Sequence, residues 1–121
     1  MKKLDARGAV LSAALVLAVV GTAGAADARV GADWVGYGYP NHVNAVKCVQ
    51  DGINNSPTPY HVTVDGLFGP DTYHGVIAFQ KWWNDHYEPR LGVDGIVGPE
   101  TGDDLLGWLG SGCDYYLPTT G

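Results

Sequence analysis

Asp65-Gly66-Leu67-Phe68-Gly69-Pro70-Asp71-Thr72 returns, almost unchanged, as Asp94-Gly95-Ile96-Val97-Gly98-Pro99-Glu100-Thr101. Both stretches read Asp-Gly, two apolar residues, Gly-Pro, an acid and Thr. Each describes a turn that launches a helix. The Asp carboxylate can accept from nearby backbone amides, and the Gly after it tolerates positive φ. The apolar pair then plugs into a core. Gly-Pro puts Gly at the N-cap and Pro at the first helical position, where a missing N–H costs nothing. The acid that follows lies at the positive end of the helix dipole.

Working outward, Val46-Lys47-Cys48-Val49-Gln50-Asp51-Gly52-Ile53 fits V-x-x-φ-Q-x-x-φ ahead of the first copy. After it, Thr72-Tyr73-His74-Gly75-Val76-Ile77-Ala78-Phe79-Gln80 fits T-x-x-small-V-x-x-F-Q, and the second copy leads to Leu105. Over roughly residues 41–109 this order resembles the type 1 peptidoglycan-binding domain family, small three-helix modules found beside cell-wall hydrolases. The resemblance implies a compact all-α fold and a non-catalytic, wall-binding role. The chain departs from the family pattern in three places. Extra residues span Asn84 to Leu91, Gly102 stands where Trp is usual, and Gly75 stands where Ala is usual. Trp108 is the candidate to supply the bulk that Gly102 lacks.

The segments before the repeats carry a different signal. Lys2, Lys3 and Arg7 precede an apolar run from Gly8 to Val20, too short for a membrane span and suited to a signal peptide. Ala23-Gly24-Ala25 and Ala26-Asp27-Ala28 both satisfy the small-x-small cleavage rule. The expected organisation is a signal peptide over 1–25, a Gly- and aromatic-rich lead-in over 26–40, the domain over 41–117 and a tail over 118–121. The product is expected to be secreted, extracellular or associated with the cell wall, and monomeric.

The chain has 7 basic and 13 acidic residues, a net charge of −6, and loses three cations but one acid with residues 1–25. That balance argues against nucleic acid or, after signal cleavage, a membrane surface as partner. Any attraction to an anionic wall must then come from short-range contacts.

Cys48 and Cys113 are the two thiols of an exported chain, so a structural disulfide is expected. Closing so long a loop would contribute roughly 4 kcal/mol in the chain-entropy model. The competing reading, a catalytic Cys48, needs a positioned His and an exposed turn, whereas Cys48 falls in the middle of the first helical pattern.

Asn41 is a candidate N-cap for a first helix over about 42–53, with Ala45, Val46, Val49 and Ile53 on one face. A second helix is expected over about 70–87, ended by Pro89, with Val76, Phe79 and Trp83 forming its core stripe and Trp82 on a flanking face. A third is expected over about 99–109.

Catalytic and metal chemistry are not legible. His42, His61, His74 and His86 show no ligand spacing, and Asp103-Asp104 is adjacent rather than on one helix face, so it reads as a solvated helix start. No enzyme activity, cofactor or metal is expected. Neutral glycans and peptides are held by aromatic faces and amide or hydroxyl groups. The candidate ligand-binding residues are therefore Trp82, Asn84, His86 and Tyr87 near the end of the second helix, with Tyr60 and His61 before the first repeat. The expected ligand is peptidoglycan, through its glycan or its stem peptide. The alternatives are a protein-interaction or inhibitor module, or an accessory subunit that targets a separately encoded cell-wall hydrolase. Leu117-Pro118-Thr119-Thr120-Gly121 matches the L-P-x-T-G sorting pattern, but without a following apolar stretch and basic tail it is not expected to anchor the protein.

Overall fold

The computed structural model describes residues 32–121. The signal-peptide reading of residues 1–25, and the first part of the lead-in, lie outside the described residues. The fold is all-α, built from α1 (Val43–Asn55), α2 (Pro70–His86) and α3 (Pro99–Leu106), with a short 3₁₀ turn at Cys113–Tyr115. The lead-in pairs with the second repeat through one antiparallel bridge, in which Val35 and Val97 exchange both backbone hydrogen bonds at 3.1 and 2.7 Å.

Both repeats start their helices as the sequence predicts. Gly69 and Gly98 are extended N-caps, Pro70 and Pro99 occupy the first helical position, and Asp71 and Glu100 sit in the first turns. The start of α1 differs from expectation. Asn41 does not cap it; its φ is +54°, and its side chain clamps Gly36, accepting from the Gly36 N–H at 2.8 Å and donating to the Gly36 carbonyl at 2.9 Å. Asn tolerates this left-handed backbone better than most residues. The cap position passes to His42, whose ring Nε2 lies 2.8 Å from Asp33 Oδ2 instead of bonding the helix.

The core joins Val46, Val49 and Ile53 of α1, Val76 and Phe79 of α2 and Leu105 of α3, all 0% exposed. Two segments outside the three helices also enter it: Val35 from the lead-in and Leu117 from the tail. Val35 lies ahead of the 41–117 segment, and Leu117 is its last residue. Gly102 explains the tail's course, because a Cβ there would overlap the Pro118 carbonyl oxygen. The bulk expected from Trp108 at this point is thus supplied by the tail. Trp108 instead meets Trp82 edge-on at 5.9 Å.

The Leu117-Pro118-Thr119 part of the sorting-like pattern is buried, and Thr120 is held to α3 by its backbone N–H and hydroxyl donating to the Asp103 carboxylate. A processing enzyme that needs these residues extended would have to peel the tail off first. Cys48 and Cys113 form the disulfide, with Cα atoms 5.8 Å apart, and tie α1 to the turn from which the tail departs.

Candidate functional site

The two Asp-Gly turns are clamped by two equivalent glutamines. Gln50 Oε1 accepts from the Asp65 and Gly66 N–H groups at 3.0 and 2.9 Å. Its Nε2 donates to Asp65 Oδ1, the Leu67 carbonyl and Thr72 Oγ1 at 3.0, 3.1 and 3.0 Å. Gln80 repeats every contact. Its Oε1 accepts from Asp94 and Gly95 at 3.1 and 3.0 Å, and its Nε2 donates to Asp94 Oδ1, the Ile96 carbonyl and Thr101 Oγ1 at 3.1, 3.0 and 3.2 Å. Each Asp also accepts from the N–H two residues on, at 3.0 Å. One turn later on each helix an asparagine pins the following segment. Asn54 brackets the Val62 backbone, and Asn84 brackets Leu91 in the same way while also accepting from the Arg90 N–H. The repeat is therefore longer than its octapeptide: Gln-x-x-x-Asn on a helix, a pinned segment, then the Asp-Gly turn.

Gly66 and Gly95 have φ of +77° and +75°. A Cβ at Gly66 would lie 2.8 Å from a Val43 methyl, and one at Gly95 would run into the Tyr73 ring. Gly66→Val should cost roughly 1–3 kcal/mol, and Gly95→Val at least as much, because an aromatic ring yields less readily than a methyl. Thermal melting checks this, and unchanged midpoints in both variants would refute it. The Leu67 N–H, and then the Gln50 amide, hold the Asp65 carboxyl below its ordinary value. A depressed acid stabilises the fold above its unfolded-state pKa and loses that contribution as the pH falls through the folded value.

Beneath each turn lies an open groove, and the two are counterparts. The first, about 320 Å³, is lined by Thr63, Asp65, Leu67, Phe68 and Asp71. The second, about 370 Å³, is lined by Asp94, Ile96 and Glu100 at matching positions, with Trp34, Leu91 and Thr120 added from elsewhere in the chain. A third hollow of about 490 Å³ lies between the start of α1 and Tyr115 and Tyr116.

The sequence-predicted ligand residues fall into two separate places. Trp82, His86 and Tyr87 gather at the end of α2, with Trp82 stacked on His86 at 4.8 Å and edge-on to Tyr87 at 5.8 Å. Trp82 is half-buried against the core, as is Trp83, so the two are not divided into surface and core. Asn84 belongs to the same stretch, but its amide is bonded to the loop backbone. Tyr60 and His61 lie in the segment pinned by Asn54, half-buried and exposed respectively. None of these six residues lines any of the three hollows described above. Sequence reasoning passed over Trp34 as a groove wall. The available signal was an aromatic residue directly before Val35, whose burial turns its neighbour outward.

Asp104 is buried, contrary to the solvated helix start read from Asp103-Asp104. Its Oδ1 accepts from Arg90 Nη2 at 2.6 Å, and Arg90 also lies 3.8 Å from Glu100 and 5.9 Å over the Trp83 ring. Burial pushes the Asp104 carboxyl up, while Arg90 opposes the shift. A raised acid loses stability as the pH rises from its unfolded-state value toward its folded one. Arg90→Met should raise the folded value further. It should destabilise the protein by about 1–3 kcal/mol at neutral pH, below the range for fully buried pairs because the Arg90 side chain is 41% exposed. At acid pH, as Asp104 takes up its proton and the buried charge is removed, the loss should be smaller. Equal losses at both pH values in denaturant melts would refute the assignment.

Among the described residues, no group of three or more His, Cys, Asp or Glu side chains is placed to hold a metal ion. Comparison of the chain with protein-family models, curated proteins and solved structures returns no match.

Proposed function

We propose that this protein is a secreted, non-catalytic module that binds peptidoglycan. The observation that carries the reading is the duplicated turn with a groove under each copy. The Asp-Gly turn within the motif order that resembles the peptidoglycan-binding family is built twice, and each copy leaves an open, aromatic-walled hollow beside carboxylates and hydroxyls. Binding is favoured over catalysis by the use made of the polar side chains. Gln50 and Gln80 are committed to closing the two turns, with Thr72 and Thr101 accepting from their amides, and Asn54 and Asn84 are committed to holding backbone. With a net charge of −6, wall affinity would rest on local contacts in the grooves rather than on long-range attraction.

Sedimentation with purified, insoluble sacculi tests the reading. Retention that is competed by soluble wall fragments supports it. Failure to sediment without an added cell-wall hydrolase would replace it with the accessory-subunit reading.

A further inference from the structure

The internal repeat acts as a control on itself. Whatever the turn needs in order to fold is present in both copies, so the groove-lining residues found at only one copy are what distinguishes that groove. The first groove carries little beyond the shared set. The second is where distant segments converge: the lead-in supplies Trp34, the inserted loop supplies Leu91, and the tail supplies Thr120. Trp34 packs its six-membered ring against Gly98, where a Cβ would lie 3.6 Å from three of its atoms, and the residue remains 43% exposed.

The groove beside that ring is acidic. Asp94 uses only Oδ1 in its turn bonds, Glu100 is exposed in the first turn of α3, and Arg90 is shared between Glu100 and Asp104. An aromatic wall flanked by carboxylates, with an apolar floor of Leu91 and Ile96, is complementary to an ammonium group on an aliphatic stem. The ring attracts the cation, the carboxylates neutralise it, and the apolar residues cover the methylenes. The overall acidity of the chain points the same way, since in a largely anionic wall a free amine is the charge it can attract.

We infer that the Trp34 groove binds a peptide through a primary-amine side chain, which selects the diamino acid of a wall stem peptide over the glycan. This rests on the wall-binding reading. The test is calorimetric titration of the protein with a soluble disaccharide–peptide fragment whose diamino acid has a free amine, and with the same fragment after N-acetylation. Acetylation should weaken binding about tenfold or more. Trp34→Ala and Glu100→Gln should each weaken binding of the free amine several-fold with the melting midpoint near that of the parent protein, and the affinity should fall as salt is raised. Asp71→Asn, the first-groove counterpart of Glu100→Gln, should leave the ratio of affinities for the free-amine and acetylated fragments as it is in the parent protein, whatever it does to wall binding as a whole. Equal affinity for the acetylated fragment would overturn the inference even with sacculus binding intact. So would full binding by both second-groove variants. If sacculi are not retained at all, the wall-binding reading fails. The same titration with a sugar-free lysyl peptide and its acetylated form then decides the groove chemistry independently.

Discussion

Gln80→Ala is expected to lower the stability of the fold by about 3–5 kcal/mol, and Gln50→Ala by a similar amount. Each glutamine is essentially inaccessible, at 0% and 1% exposed, and each makes five hydrogen bonds that close one Asp-Gly turn. A typical bond contributes about 1 kcal/mol net, but truncation also leaves two backbone N–H groups and a carbonyl without partners, one N–H buried and the others part-buried, at roughly 1–3 kcal/mol each if water cannot reach them. Partial rescue by water keeps the total below the simple sum. Because folded domains have about 5–15 kcal/mol in all, the double variant should lose most of its stability. The two bond sets share no atom, so the single losses should add. Gln80→Glu offers a sharper check. It keeps the shape and the acceptors but removes the amide donors, and it sets a carboxylate against Asp94. Its loss should therefore shrink at acid pH. Denaturant melts of the three single variants decide the matter, and a loss under about 1 kcal/mol in either Gln→Ala variant would show that the turns close without the clamp.

The clamp also marks what was legible in the sequence. Helix starts at Pro70 and Pro99 were readable because Gly-Pro-acid acts through purely local backbone chemistry. The core stripe of α1, and Val76 and Phe79 of α2, were readable from periodicity, though Trp83 proved half-buried like Trp82; the disulfide was readable from the pair of thiols in a chain with a signal-like N-terminus. The role of Asn41 was not, because the choice between capping α1 and clamping Gly36 depends on where the lead-in lies. That course is set by Val35 pairing with Val97 across the domain. Burial of Leu117 and of Asp104 was hidden for the same reason: both depend on a tail and a loop returning from far along the chain. The candidate site suffered most. Aromatic density drew attention to Trp82, His86 and Tyr87, which pack on one another, whereas the groove wall is a single Trp34 brought in by the lead-in. The duplicated Gln-x-x-x-Asn was present in the sequence all along. It was obscured because the asparagines are followed by segments of unequal length before each Asp-Gly turn.

Removing the disulfide by Cys48→Ala with Cys113→Ala should cost about 4 kcal/mol, the chain-entropy value for a closed loop of this size, since the cysteines are 65 residues apart. The effect should not be spread evenly. Cys48 is fixed in the middle of α1, so the freed partner is the turn at Cys113–Tyr115 and the tail beyond it. That tail sets Leu117 into the core, lays the Pro118 carbonyl on Gly102 and brings Thr120 to Asp103 and to the rim of the second groove. With the tether gone, these contacts alone hold the tail, and local opening should become easier than global unfolding. Hydrogen exchange should then quicken first at Leu117, Thr119 and Thr120, while the amides of Asp65 and Gly66, clamped by Gln50 in the first repeat, keep their protection longest. A protease that cleaves in flexible chain should likewise remove the tail before it cuts the helices. If the double variant melts at the parental temperature, or loses protection uniformly across both repeats, then the bridge is not what holds the tail against α3, and the packing around Gly102 suffices by itself.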